Sequence, residues 1–147
     1  MKSLQIEIEE LILNFRKQLG SILGAKFYGL YLYSSTARGE FEPEASDIDF
    51  IVILNNKLDE TDIDEICTLH KHLSLDYKYG AKLDGMYLQK SYIGKSNEEV
   101  DPYPVIYHAE YQGYGKFDIN NITWWSLKTD GVAVDSPSIT DRLKSAS

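Results

Sequence analysis

Apolar side chains recur at intervals of three and four through Leu4, Ile8, Leu11, Ile12, Phe15, Leu19, Ile22 and Leu23, a spacing that predicts one helix over residues 4–23. Within it Glu7, Glu9 and Glu10 precede Arg16 and Lys17, the charge order that complements a helix dipole. Past Gly24 the period changes. The aromatic-rich run Phe27-Tyr28-Gly29-Leu30-Tyr31-Leu32-Tyr33 predicts a strand buried on both faces and ends at Ser34-Ser35. Residues 36–46 carry Gly39, Pro43 and several charges and predict a short helical turn and a loop. Ile48 to Leu54 predicts a second strand. Asp59 to Leu73, with Ile63, Ile66, Cys67, His70 and Leu73 on one face, predicts a second amphipathic helix behind acidic N-terminal residues. Further strands are predicted at Leu83–Leu88, Val105–Ala109 and Val132–Val134. Polar residues 91–101 read as a loop, with Pro102 and Pro104 opposing a helix there. Asn120–Thr129 predicts a helix that packs Trp124 and Trp125 on a sheet and stops at Asp130-Gly131, where Gly suits a left-handed C′ position. This alternation of helix and strand predicts an α+β (α/β-like) domain with a mixed sheet.

Composition narrows the functional classes. The chain has 147 residues with 43% apolar side chains, enough for one core and too few for two. No apolar run approaches the ~18–20 residues that span a bilayer, and no basic, apolar leader opens the chain, so a cytoplasmic protein without membrane contact is expected. The net charge is −8, from 15 Lys+Arg against 23 Asp+Glu. That balance opposes sequence-independent binding to nucleic acid, which needs clustered cations. It favours cationic partners, or anions reached through a bound metal. Cys67 is the one cysteine, which excludes an intrachain disulfide and a multi-cysteine zinc site and leaves it as a small core residue.

The candidate chemistry lies between Tyr33 and Phe50. Asp47 and Asp49 are two positions apart at the mouth of a strand, so both carboxylates point to one side while Ile48 and Phe50 point into the core. Two carboxylates on one face repel each other unless a cation lies between them, and an all-oxygen set suits Mg²⁺ with water and substrate phosphates. A turn residue followed by an edge-strand charge would give the same triplet. What precedes it favours a site: the small residues Ser34, Ser35, Thr36 and Ala37 at a strand-to-helix turn expose N–H groups that bind phosphate oxygens, and Arg38 adds a cation. His70 and His72 converge with no cysteine or third histidine at zinc-ligand spacing, and His70 reads as packing. His108, near the end of a predicted strand, is within range of a nucleotide or substrate but reads more simply as structural. Tyr103, Tyr107, Tyr111 and Tyr114 offer surfaces for stacking on a base or a sugar, with too few interleaved cations for nucleic acid.

An apolar strand, Gly-Ser, about ten residues and then Asp-apolar-Asp-apolar is the pattern of the polymerase-β-like nucleotidyltransferases, which this stretch resembles with Ser34 in place of the glycine. Here it reads Leu32-Tyr33-Ser34-Ser35 and Ser46-Asp47-Ile48-Asp49-Phe50. Within that superfamily, Gly29-Leu30-Tyr31-Leu32-Tyr33, Thr36-Ala37-Arg38-Gly39, Thr123-Trp124-Trp125-Ser126-Leu127 and Gly131 to Pro137 most resemble the N-terminal domain of bacterial aminoglycoside adenylyltransferases. The resemblance covers about residues 24–138 of a single domain spanning 1–147. It implies a palm-like mixed sheet flanked by helices, and transfer of AMP from ATP to a hydroxyl of a small, aminoglycoside-like acceptor. It further implies two Mg²⁺ held by Asp47, Asp49 and a third carboxylate at Asp84, which either completes a second metal site or accepts the proton of the attacking hydroxyl. Ser34, Ser35 and Arg38 would hold the triphosphate, and Glu40, Glu42 and Glu44 would draw in a cationic acceptor.

Two departures open a second reading. Ser34 stands where the family has glycine, and its Cβ crowds the approach of backbone to phosphate. The adenylyltransferases carry a helical C-terminal domain that completes the acceptor site, and these residues are expected either to lack it or to be the N-terminal domain of a two-domain enzyme. A weakly active or inactive nucleotide-binding, antitoxin-like module, or a homodimer in which the neighbour closes the cleft, follows from these.

Overall fold

The structure is a computed structural model, and it describes residues 6–33, 42, 46–117 and 119–146. Helix α1 (Ile6–Leu23) follows the predicted stripe, with Ile8, Leu11, Ile12, Phe15, Leu19 and Leu23 buried. A short 3-10 turn leads into β1 (Phe27–Leu32), which pairs antiparallel with β2 (Ile48–Leu54). Helix α2 (Glu60–Asp76) then carries the chain over to β3 (Leu83–Gln89), which lies parallel to β2. Its start is fixed by a reciprocal cap: Asp62 N–H donates to the Asp59 carboxylate, and Asp59 N–H donates to the Asp62 carboxylate. Lys26 Nζ spans both acids, tying the entry of β1 to the entry of α2.

Strands β4 (Tyr103–Tyr107) and β5 (Glu110–Gly115) form a hairpin at the β3 edge. Helix α3 (Asn121–Asp130) leads to β6 (Val132–Ala133), which pairs with β1. The sheet order is β5-β4-β3-β2-β1-β6, with β2–β3 the parallel pair. This is the mixed, helix-flanked α+β sheet predicted. Each face has its own core. Leu30, Leu32, Ile48, Phe50, Val52, Leu83 and Tyr87 pack with α1 and α2. Tyr31, Ile51, Ile53, Met86 and Leu88 pack with Trp124 and Leu127 of α3 and with Ile139 and Leu143.

Several expectations are corrected. The strand expected at Val105–Ala109 begins at Tyr103 and ends at Tyr107. His108 and Ala109 instead form a two-residue hairpin turn with φ of +50° and +63°. Sequence reasoning missed β5 because neither turn position is a glycine. Gly131 is extended, at φ −62° and ψ 149°, not left-handed; glycine is needed there because a Cβ would stand 2.2 Å from the Leu127 carbonyl oxygen. Trp124 is fully buried, but Trp125 is 59% exposed and packs on no core. Cys67 is half-buried. The predicted loop at 91–101 holds two 3-10 turns, and Thr140–Ala146 forms another after Pro137. No described helix is long and apolar enough to cross a membrane.

Candidate active site

At one end of the central strands β1 finishes where β2 and β3 begin. Leu32 lies opposite Phe50, and Tyr33 N–H donates to the Asp49 carbonyl oxygen at 3.2 Å. In the parallel pair Asp49 sits opposite Asp84. Side chains alternate along a strand, so both acids share the face of Ile51, Ile53, Met86 and Leu88, while Ile48, Phe50 and Leu83 face the helices α1 and α2. Gly85 permits the close fit of the two strands, since a Cβ there would stand 2.4 Å from the Phe50 carbonyl oxygen and 2.5 Å from its ring.

Asp47 enters from the residue before β2. Asp47, Asp84 and His108 each present one ligand atom, and these atoms lie within 4.8 Å of one another. Asp49 stands beside this cluster on the same face but is not a member of it. Ser34, Ser35 and Arg38, the expected phosphate contacts, fall outside the described residues, as do Glu40, Glu44 and the helical turn expected at 36–46 apart from Glu42 and Ser46. Glu42 is exposed, and its N–H donates to Ser46 Oγ at 2.9 Å.

Asp84 is 2% exposed. Its carboxyl is pushed up to about 6, first by burial and then by the charge and hydrogen-bonding contact of Asp47, against the opposing pull of the His108 N–H. That N–H donates to Asp84 Oδ1 at 2.6 Å. A buried carboxylate held against a second carboxylate needs a proton or a cation between them. The donor set therefore fits a divalent cation.

His108, read from sequence as structural, is brought to the site by the unforeseen turn. Its imidazole stands 4.2 Å from the Tyr107 ring, with the planes at 66°. Nothing in the local sequence marks the turn except that His is among the residues that adopt positive φ more readily than most. His70, read as packing, is fully buried beneath the sheet among Phe15, Phe50 and Tyr87, with Nε2 2.9 Å from the Tyr87 hydroxyl. His72 is exposed. Of the tyrosines, Tyr103 is buried, with its hydroxyl donating to Asn97 Oδ1 and accepting from the Phe117 N–H, whereas Tyr107 and Tyr114 are about half exposed. A groove of about 410 Å³ between α1 and α2 lies on the opposite face of the sheet and includes none of the three aspartates.

A family model described as a nucleotidyltransferase domain matches residues 11–121. The chain belongs to this nucleotidyltransferase family. No curated protein matches the chain. Among solved structures it is similar to the spectinomycin adenyltransferase AAD(9) of Enterococcus faecialis with ATP and spectinomycin, at TM-score 0.61 and 15% identity over 91% of this chain and 58% of that one. The likeness is one of fold, and the chain spans 58% of that protein's length. It is also similar, at TM-score 0.47 and 17% identity over 92% of this chain and 78% of the other, to a toxin-antitoxin structure with AMP-PNP. Membership in the family and the shared fold match the polymerase-β-like pattern read at residues 33–50.

Proposed function

We propose that the chain transfers AMP from Mg·ATP to a hydroxyl of a small, cationic, aminoglycoside-like acceptor, releasing pyrophosphate. The observation that carries this reading is the pairing of buried Asp84 with Asp47 at the end of the central strands where Asp49 is its register partner. Asp47, Asp49 and Asp84 would hold two Mg²⁺. Ions held by these carboxylates would supply charge neutralisation for the triphosphate and for the departing pyrophosphate.

The chain's own residues supply position and proton acceptance. The His108 N–H fixes Asp84 Oδ1, so that Asp84 would either complete the second metal site or, left off the metal, accept the incoming hydroxyl's proton. Ser34, Ser35 and Arg38 follow β1 and would take the β and γ phosphates. Exposed Glu42 and the net charge of −8 favour a cationic acceptor.

Ser34 at the family's glycine position supports a second reading, a module that binds nucleotide without transferring it or that needs a second copy to close the cleft. Calorimetry with ATP plus Mg²⁺ and with ATP plus EDTA tests the shared premise. Binding should require the metal and weaken in Asp49→Asn; equal affinity in both solutions would overturn the metal-site reading on which the transfer rests. Radiolabelled transfer to aminoglycosides then separates them, and sedimentation of the same sample reports whether a dimer is the active form.

A further inference from the structure

The hairpin turn between β4 and β5 does more than reverse the chain. Two successive non-glycine residues hold positive φ, His108 at +50° and Ala109 at +63°, a conformation that costs L-residues energy. Two hydrogen bonds to β3 pin it: Ala109 N–H donates to the Leu83 carbonyl oxygen at 3.0 Å, and His108 N–H donates to Asp84 Oδ1 at 2.6 Å. The backbone of His108 is thus moored to the carboxylate that its own ring approaches, and the Tyr107 ring limits the imidazole from another side.

The cluster that results is chemically mixed. Two carboxylate oxygens and one imidazole nitrogen lie within 4.8 Å of one another. Donor atoms about 2.0–2.3 Å from a common ion stand roughly 3–4 Å apart, so small side-chain rotations would bring all three onto one cation. Mg²⁺ favours oxygen donors, whereas imidazole suits transition-metal ions, Mn²⁺ among the less selective of them. The three donors come from the approach to β2, from β3 and from the β4–β5 turn, so their convergence belongs to the tertiary fold and not to local chain geometry.

We propose that His108 is a nitrogen ligand that joins Asp47 and Asp84 on one divalent cation and gives this site a preference for Mn²⁺ over Mg²⁺. The inference rests on the reading of these carboxylates as metal ligands and adds the imidazole and the choice of ion. Binding of Mn²⁺ and of Mg²⁺ is measured by calorimetry without nucleotide, on the full chain and on His108→Asn and His108→Ala. Asn tolerates the positive φ of the turn, and thermal melting checks that each variant folds. The full chain should bind Mn²⁺ roughly tenfold or more tightly than Mg²⁺, and both variants should lose most of that margin while Mg²⁺ affinity changes little. Pulsed electron paramagnetic resonance of bound Mn²⁺ should show coupling to a nitrogen nucleus that disappears in His108→Asn. Absence of that coupling in the full chain, or equal losses for the two ions, overturns the proposal. A His108-dependent Mn²⁺ preference without any nucleotidyl transfer would uphold it and defeat the transferase reading. Metal-dependent transfer with Mn²⁺ binding indifferent to His108 would do the reverse.

Discussion

Replacing His70 with Phe should remove a specific part of the acid sensitivity of the fold. His70 is fully buried among Phe15, Phe50 and Tyr87, its Nε2 meets the Tyr87 hydroxyl, and its Nδ1 has no partner. Burial lowers its pKa to about 3, against about 6.5 in an unfolded chain. Between those values the unfolded chain holds a proton that the folded one does not, so His70 destabilises the fold progressively as pH falls below 6.5. The slope is about 1.4 kcal/mol per pH unit, which gives about 2.7 kcal/mol at pH 4.5. His70→Phe leaves the Tyr87 hydroxyl without its partner, a loss of about 1–3 kcal/mol that does not vary with pH in this range. Urea unfolding at pH 7.5 and 4.5 isolates the proton effect, because the other titrating groups are common to both proteins. The stability difference between parent and variant should shift in the variant's favour by about 2.7 kcal/mol on acidification. A difference that stays constant would mean that His70 is solvated or protonated in the fold, and would refute the reasoning. The strands stiffened by this aromatic cluster are the ones that carry Asp49 and Asp84 on their other face, so the same measurement sets the acid limit for any assay of the site.

Asp84→Asn should reduce single-turnover transfer by ~10²–10⁴-fold with Mg·ATP binding nearly intact if Asp84 accepts the proton, and should abolish metal-dependent binding if its charge holds the metal; unchanged turnover would remove it from the site. Gly85→Ala should destabilise the fold by about 1–3 kcal/mol in urea unfolding, because the added methyl meets the Phe50 carbonyl oxygen and ring. Trp124→Ala should cost about 3–5 kcal/mol, and Trp125→Ala should fall within about 0.5 kcal/mol of the parent, which thermal and urea unfolding of the pair would check.

The elements that the sequence made legible are those whose burial repeats along the chain. The stripe from Ile8 to Leu23 and the run from Ile48 to Leu54 each face a core with the expected period, and Asp59 announces α2 because its cap needs only residues three apart. Alternation along β2 likewise made the face of Asp49 legible, whereas Asp47 lies one residue before that strand and is grouped with Asp84 and His108. Asp84 is a different case: its place opposite Asp49 follows from the parallel pairing of β2 with β3, which no local pattern encodes, and only the family resemblance pointed to it. The β4–β5 turn was hidden because its positive φ values fall on His108 and Ala109, so strain is held by contacts to Leu83 and Asp84 instead of by glycine. Trp125 was misplaced because adjacent tryptophans on a helix point about 100° apart, and only one of them faces the sheet.

The placement of Asp84 also sets burial against charge at this end of the strands. Its carboxyl binds a proton more tightly in the fold than in an unfolded chain, where the value is near 3.9. Between that value and about 6 the fold therefore holds more proton than the unfolded state, and stability declines as pH rises through the interval. Above it, two carboxylates face each other with one of them buried, and the His108 N–H offsets part of the repulsion. A fold selected for stability alone would place an apolar residue at Asp84, as it does at Met86 and Leu88 further along the same face. Retaining the acid makes sense for a site whose working state contains a cation. On the proposed reading, a cation held between the two carboxylates would stabilise the folded chain by relieving their repulsion, so affinity for metal and the cost of burying Asp84 beside Asp47 would share one cause.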